Sequence, residues 1–357
     1  MGSKQRGGTT LVEVLVAIFI MAIGLMTLLT LFPLGALSMA QALQDSRAGQ
    51  AAANAAALAE AKQLRHDDKV VYDKDPNASG GQRDVFVDPL PRGNKGTPNK
   101  KLPPIPIDSG NLDPSFPSYP VFVDPFGFIL TAHPDRNGVT IGDPIGSSEL
   151  GNNAGIPRRT TRYVYGSEAM PNSQPTQLRW AYRFHSLLDD LQFDKDTMAG
   201  IPVGAPTTVE RENRYSWAYL LRRPRAADPS VVDLSVILYN SRPVQTPLPE
   251  HVFTGVTFNV GSTQLDVVYS PGAKPDIKKG SWVMDATLIN GNNVEPHGFF
   301  YRVVGVTDNG GSLTLELQEP IKPFVKNTQS TEMRFTGTLI FMEYVVEVFE
   351  KGSGWKP

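Results

Sequence analysis

From Val14 to Leu43 the chain carries not one charged side chain, and this run constrains everything else in the molecule. Val14 to Ala40 alone is 27 residues; at about 1.5 Å per residue a helix of that length reaches roughly 40 Å, more than a hydrocarbon core of about 30 Å. The stretch 14–40 therefore predicts a membrane-spanning helix with room to tilt. Residues 1–8 contain Lys4 and Arg6 and no acid. Basic flanks stay in the cytoplasm, which places the amino terminus inside and the long carboxyl-terminal part outside. A secretory signal peptide fits poorly, because its apolar core is only about 7–15 residues and ends at a small-residue cleavage site. Here Ala-Leu-Ser-Met-Ala at 36–40 runs straight into alanine-rich, helix-favouring sequence.

Composition narrows the exported part. With 34 basic and 36 acidic side chains the net charge is −2, so nucleic acid is not an expected partner on electrostatic grounds, and 40% hydrophobic residues exclude a wholly disordered chain. The 30 Pro and 32 Gly make about one residue in six a backbone punctuator, which favours short strands and loops over a helical bundle. There is no cysteine, so disulfides, zinc-thiolate sites and thiol nucleophiles are excluded.

One acid, Glu13, lies just inside the apolar helix, in Gly7-Gly8-Thr9-Thr10-Leu11-Val12-Glu13-Val14. A carboxylate there costs a few kcal/mol unless it is paired, so it asks for a partner. The segment Gly8-Thr9-Thr10-Leu11-Val12-Glu13 resembles the leader junction of type IV prepilins and type II secretion pseudopilins, whose usual pattern is Gly-Phe-Thr-Leu-x-Glu. In that family a prepilin peptidase cuts on the cytoplasmic side after the glycine and methylates the new amino terminus. The resemblance implies cleavage between Gly8 and Thr9, N-methylation of Thr9, and Glu13 as the fifth mature residue. Cutting after Gly7 would make the acid sixth. Thr9 departs from the usual phenylalanine, at a position more tolerant than the glycine. The run Leu11–Leu25 further resembles the minor pilin and minor pseudopilin subset.

The physics agrees with that resemblance. In a stack of such helices each Glu13 carboxylate can pair with the Thr9 ammonium of a neighbour, in surroundings that screen charge far less than water does. The pair sets filament register, because stranding one buried charge costs about 3–5 kcal/mol. The alternative is a Glu13 that snorkels to the membrane interface.

Pro33 removes a helical hydrogen bond and predicts a kink or local melting, loosened further by Gly24 and Gly35. In the resembled family such residues let the helix stretch on leaving the bilayer; a kink without any assembly role is an equal reading. Beyond Leu43 the pattern is amphipathic, with 11 alanines between Ala40 and Ala61, and the helix is expected to run to about Arg65. That stripe suits packing on partner helices or on the chain's own β-domain.

Residues 76–120 hold ten Pro and five Gly in 45 positions and read as a long irregular connection. The stretch 121–157 continues loop-rich, and its Asp124-Pro125-Phe126-Gly127 turn faintly resembles the Asp-Pro-Trp-Gly of major pseudopilins. From Arg162 onward strand signals recur at 214–222, 231–239, 252–260, 264–270, 281–289, 299–307, 312–318 and 337–349. Asp308-Asn309-Gly310-Gly311 joins two of them as a hairpin, and 187–191 suggests a helical turn. The expected fold is α+β. Its parts are a leader at 1–8, a helix at 9–66, transmembrane in its first half and amphipathic in its second, a Pro/Gly-rich linker at 67–120, and a mostly antiparallel β-domain at 121–357 with one or two lobes.

Catalytic signals are weak. No two of the five histidines, His66, His133, His185, His251 and His297, have metal spacing on a helix face. Asp135, Asn137 and Asp143 in the loop after His133 are weak calcium candidates without the glutamate of an EF-hand. Asp189, Asp190, Asp194 and Asp196 read as a solvated acidic edge, and Arg222-Arg223-Pro224-Arg225 as arginines ending a strand rather than a track for single-stranded DNA. Trp180, Trp217 and Tyr219 read as core or rim. No Gly-x-Ser-x-Gly elbow, P-loop or dinucleotide fingerprint is present. No catalytic residue, cofactor or enzymatic activity is expected.

The resemblance implies a minor pilin or pseudopilin, made as a single-pass precursor in a bacterial inner membrane and assembled into a type IV pilus or type II secretion pseudopilus. Its partners would be prepilin peptidase, other pilin or pseudopilin subunits, the inner-membrane assembly platform and membrane lipid. The large exported part suits a decorating or tip-proximal position. The competing reading is a signal-anchored exported β-domain that binds a ligand or acts as an enzyme, with no filament role.

Overall fold

The computed structural model describes residues 10–74, 82–87, 117–134, 140–145, 155–164, 174–187, 192–194, 209–211, 214–243, 248–270, 272–288, 296–326 and 330–355. The chain divides into two units, Met1–Gln50 and Ala51–Pro357. Helix α1 (Leu11–Ala61) begins in the first and ends in the second, passing through Pro33 without a break in helical assignment. It closes four residues earlier than the apolar pattern suggests. Gln63 turns left-handed at φ 50°, and a 3-10 turn (Leu64–His66) continues to the short helix α2 (Asp68–Val71), capped by the Asp67 carboxylate on the Lys69 N–H.

Next in chain order come β1 (Tyr72–Lys74), β2 (Gln82–Asp84), β3 (Val121–Val123), α3 (Pro125–Thr131), β4 (His133–Pro134), β5 (Thr140–Ile141) and β6 (Arg158–Arg159). Helix α4 (Gln174–His185) is followed by β7 (Gln192–Asp194), β8 (Val209–Arg211), β9 (Tyr215–Arg222), β10 (Val231–Asn240), β11 (Glu250–Asn259) and β12 (Gln264–Val268). The chain ends with β13 (Trp282–Asp285), β14 (Phe299–Asp308), β15 (Ser312–Leu317), β16 (Phe324–Lys326), β17 (Ser330–Glu332), β18 (Arg334–Met342) and β19 (Val345–Trp355). The class is α+β, a long helix followed by a mostly antiparallel β-region.

Two sheets organise the second unit. The first has the order β19-β10-β9-β3-β6, antiparallel except where β6 runs parallel to β3. Its central strands are covered on both faces, which is why β9 is apolar along nearly its whole length instead of alternating. One face receives the end of α1. Ala51, Ala52, Ala55 and Ala59 recur at helical spacing and are buried, and the Tyr219 hydroxyl donates to the Ala55 carbonyl at 2.8 Å. Small side chains allow this close approach. Arg65 fastens the end, donating to the carbonyls of Val232 and Gly352 on β10 and β19. The opposite face presents Phe122, Ala218, Leu220, Ile237 and Tyr239 to Met284, Ile340 and Met342 of the second sheet.

The second sheet has the order β11-β18-β13-β14-β15-β12. Its outermost strands, β11 and β12, are consecutive in sequence, and all six strands feed one core that includes Phe258, Leu265, Val283, Val303, Leu315 and Phe335. Phe258 and Phe335 face each other across the β11–β18 ladder and stack at 4.9 Å. The strands expected at 264–270 and 312–318 are present as β12 and β15, and they alternate, with Leu265, Val267, Leu313, Leu315 and Leu317 inward. The β14–β15 hairpin turns through Asp308–Gly311. Gly310 takes φ +75° and its N–H is held by the Asp308 carboxylate at 2.9 Å.

Two local readings are corrected. The stretch 337–349 is two strands, not one: the chain turns at Glu343-Tyr344, with Tyr344 at φ 67°, and crosses from the six-stranded to the five-stranded sheet. Continuous apolar character hides that break. Within the stretch 121–157, expected to be loop-rich, 125–131 is helical, because Asp124 caps it and Pro125 occupies its first turn. The helical turn suggested at 187–191 falls almost wholly outside the described residues: α4 ends at His185, Leu187 follows it, and 188–191 are not among them.

Candidate functional site

The amino-terminal unit is an apolar helix with an acid in its first turn. Gly8 and Thr9, the expected cleavage and methylation positions, lie outside the described residues. From Thr10 the geometry is clear. The Thr10 carbonyl accepts the N–H groups of Glu13 and Val14 at 3.0 and 3.3 Å, opening α1, and Glu13 is exposed near the positive end of the helix dipole. Leu11–Leu29 has a mean hydropathy of 2.6 and no buried residue. Leu11, Phe19, Met21 and Met26 are each more than 60% exposed. Such a surface requires lipid or other apolar helices around it. Pro33 lies within the same helix, exposed, as do Gly24 and Gly35.

The sequence-predicted candidates of the β-region do not converge. Asp135 and Asn137 lie outside the described residues; Asp143 is placed, its N–H donating to Thr131 Oγ1 at 2.9 Å. Asp189, Asp190 and Asp196 also lie outside, while Asp194 ends β7. Among the described residues no group of three or more His, Asp or Glu side chains is placed to hold a metal ion. The arginines at 222–225 are largely occupied. Arg222 lies over Phe299 at 4.3 Å, and Arg223 is buried over Phe86 with an ion pair to Asp84 at 2.7 Å; only Arg225 is exposed. Trp217 and Tyr219 are core, packed against His185, and Trp180 is half-buried at the rim.

A buried charge group was not visible in sequence. Asp124, wholly buried before α3, accepts both guanidinium nitrogens of Arg242 at 2.8 Å each, lies 3.5 Å from Arg158, and caps α3 through the Gly127 N–H at 3.2 Å. Arg158 also pairs with Glu250 at the start of β11. Two cations and two anions thus cancel. Burial pushes the Asp124 carboxyl up, but the Arg242 and Arg158 guanidiniums outweigh it and hold it down at about 2. Gly127 is required here, since a Cβ would lie 1.9 Å from Arg158 Nη1 and 2.2 Å from the Asp124 carboxylate. A second buried pair, His297 Nδ1 with Asp285 at 2.7 Å, lies in the other sheet beside Thr287, whose hydroxyl donates to the same carboxylate at 2.6 Å. The first group links segments far apart in sequence, while the second joins residues within 12 positions of one another; no spacing announces either.

His185 ends α4 against Trp217 and Tyr219. Burial lowers its pKa to about 4, against a smaller upward pull from Asp124. It is therefore neutral in the fold, while in the unfolded chain it titrates near 6.5. Stability from this group is complete above about pH 6.5 and is lost as pH falls toward 4. Going from pH 7.5 to 4.5 should cost about 2–3 kcal/mol at this site. In denaturant titrations His185→Gln should flatten that part of the pH profile; an unchanged slope between wild type and variant would count against the assignment.

Comparison with known proteins bears on the first unit. Residues 3–29 match the family model described as the prokaryotic N-terminal methylation motif. The helix, its acid and this match support a type IV prepilin-like amino terminus. The motif supports a pilin- or pseudopilin-like processed subunit, and it speaks for residues 3–29 alone. No curated protein matches the chain. Among solved structures, the phage phi92 endosialidase aligns at 15% identity over 38% of this chain and 18% of its own, with a TM-score of 0.17.

Proposed function

We propose that this chain is a minor pilin or pseudopilin-like structural subunit with no catalytic role of its own. It is made as a single-pass inner-membrane precursor with its amino terminus in the cytoplasm and its β-region outside. Prepilin peptidase cuts between Gly8 and Thr9 and methylates Thr9. An inner-membrane assembly platform then inserts α1 among the helices of other subunits, in a type IV pilus or a type II secretion pseudopilus, where Glu13 pairs with a neighbour's Thr9 ammonium. The observation that carries this reading is register: within the matched segment 3–29, the glycine, Thr10-Leu11, Glu13 and the exposed apolar helix fall in one continuous frame.

The test is the intact mass and amino-terminal sequence of the protein coexpressed with active or inactivated prepilin peptidase. Active enzyme should yield a chain lacking residues 1–8 and beginning with methylated Thr9. A chain retaining the leader under both conditions, where a control prepilin is cut, would replace this reading with an anchored exported domain.

A further inference from the structure

The region where 162–163, α4 and the turn after α1 meet carries a cation–aromatic surface that the filament reading does not use. Trp180 and Phe184, one helical turn apart on α4, stack with centroids 5.6 Å apart and planes 9° from parallel. Tyr163 continues the row at 6.4 Å from Phe184. Three cations rest on these rings. Arg183 lies 5.4 Å from Trp180, Arg162 lies 5.2 Å from Tyr163, and Lys62 Nζ lies 4.4 Å from Tyr163 and 5.7 Å from Phe184. Arg162 also donates to the Tyr163 hydroxyl at 2.9 and 3.1 Å. Arg162 and Arg183 are exposed, and among the described residues neither they nor Lys62 form an ion pair with a carboxylate. The nearby acids are otherwise engaged: Glu60 pairs with Arg65, and buried Asp67 accepts the N–H groups of Lys69 and Arg162. The charges of Asp67 and, more weakly, Asp68 offset part of the Arg162 charge.

We infer that this surface docks a carboxylate-rich segment of a partner protein. Trp, Tyr and Arg are the side chains that dominate protein–protein hot spots. A guanidinium beside an aromatic ring is held in place and weakly hydrated; Arg162 gives its Nε and Nη2 to the Tyr163 hydroxyl, which leaves its Nη1 side, with the guanidinium of exposed Arg183, for a carboxylate. A stacked, pre-ordered row loses little side-chain entropy on binding. Single-stranded nucleic acid fits less well, because base stacking needs open ring faces, and here Arg183, Arg162, Lys62 and the neighbouring rings lie over them. The inference does not depend on the filament reading, since an anchored domain would present the same surface.

The test uses the full chain in detergent micelles at low salt, with a fluorescent oligoglutamate peptide as probe and oligo-dT and polygalacturonate as competing polyanions. Oligoglutamate should bind, and the double variant Arg162→Ala/Arg183→Ala should weaken it at least tenfold with an unchanged far-ultraviolet spectrum and thermal midpoint. Arg225→Ala/Lys279→Ala, which removes two exposed cations elsewhere, should leave binding as it is. Equal binding by wild type and the first double variant, equal loss in both double variants, or tighter binding of oligo-dT or polygalacturonate would overturn the inference.

Discussion

Asp124→Ala is expected to lower the unfolding free energy by about 3–5 kcal/mol, the cost of stranding buried charge. The carboxylate is shared by Arg242 and Arg158, and after its removal two buried guanidiniums face Glu250 alone. The α3 cap is lost with it, at a further cost of about 1 kcal/mol. Asp124→Asn should lie between wild type and alanine, since an amide can still cap but cannot answer two cations. The sign with pH is fixed: a carboxyl held at about 2 contributes its stability above its unfolded value near 3.8 and loses it as pH falls toward 2. The gap between wild type and Asp124→Asn should therefore be constant through neutral pH and close only in strong acid. Denaturant titration of the full chain in micelles reads the effect, with exposed Arg225→Ala as a control expected within about 0.5 kcal/mol of wild type. A loss below about 1 kcal/mol for Asp124→Ala would show that the four charges are not a stabilising unit.

What was legible in the sequence was what short-range pattern encodes. An uncharged run can only be an apolar helix, and alternation at 264–268 and 312–317 can only place one face of each strand inward. What was hidden depends on segments distant in sequence. Asp124 and Arg242 lie in connections, Arg158 in β6 and Glu250 at the start of β11, four separate segments in which each is an ordinary polar residue until the sheets assemble. Asp124-Pro125 reads equally as a turn or as a helix cap, and burial of Phe126 and Ile129 against Ala181 of α4 decides for the helix. The break at Tyr344 was invisible for the opposite reason. Both halves of 337–349 are strand, and only the left-handed φ of a tyrosine, which no propensity favours, sends them to different sheets. In α4 the six residues Arg-Trp-Ala-Tyr-Arg-Phe suit strand or helix equally, so the cation–aromatic row on its exposed side could not be anticipated either.

Glu13→Ala is expected to separate processing from assembly. The glycine junction and the helix after it are untouched, so prepilin peptidase should still release residues 1–8 and methylate Thr9, with an intact mass shifted only by the substitution. Incorporation should fail. In a helical bundle the methylated Thr9 ammonium would be left without its carboxylate, at about 3–5 kcal/mol, which corresponds to roughly a 100- to 4000-fold loss in partition into the filament. The readout is the ratio of variant to a co-assembled subunit in sheared filaments, set against the same ratio in the inner membrane. Glu13→Gln should fail nearly as badly, because the amide keeps the size and loses the charge. Incorporation equal to wild type would remove the register role and return Glu13 to an acid that only snorkels at the helix end. Loss of cleavage itself would instead make Glu13 part of the peptidase recognition sequence, and the assembly role would then have to be read from chains already trimmed.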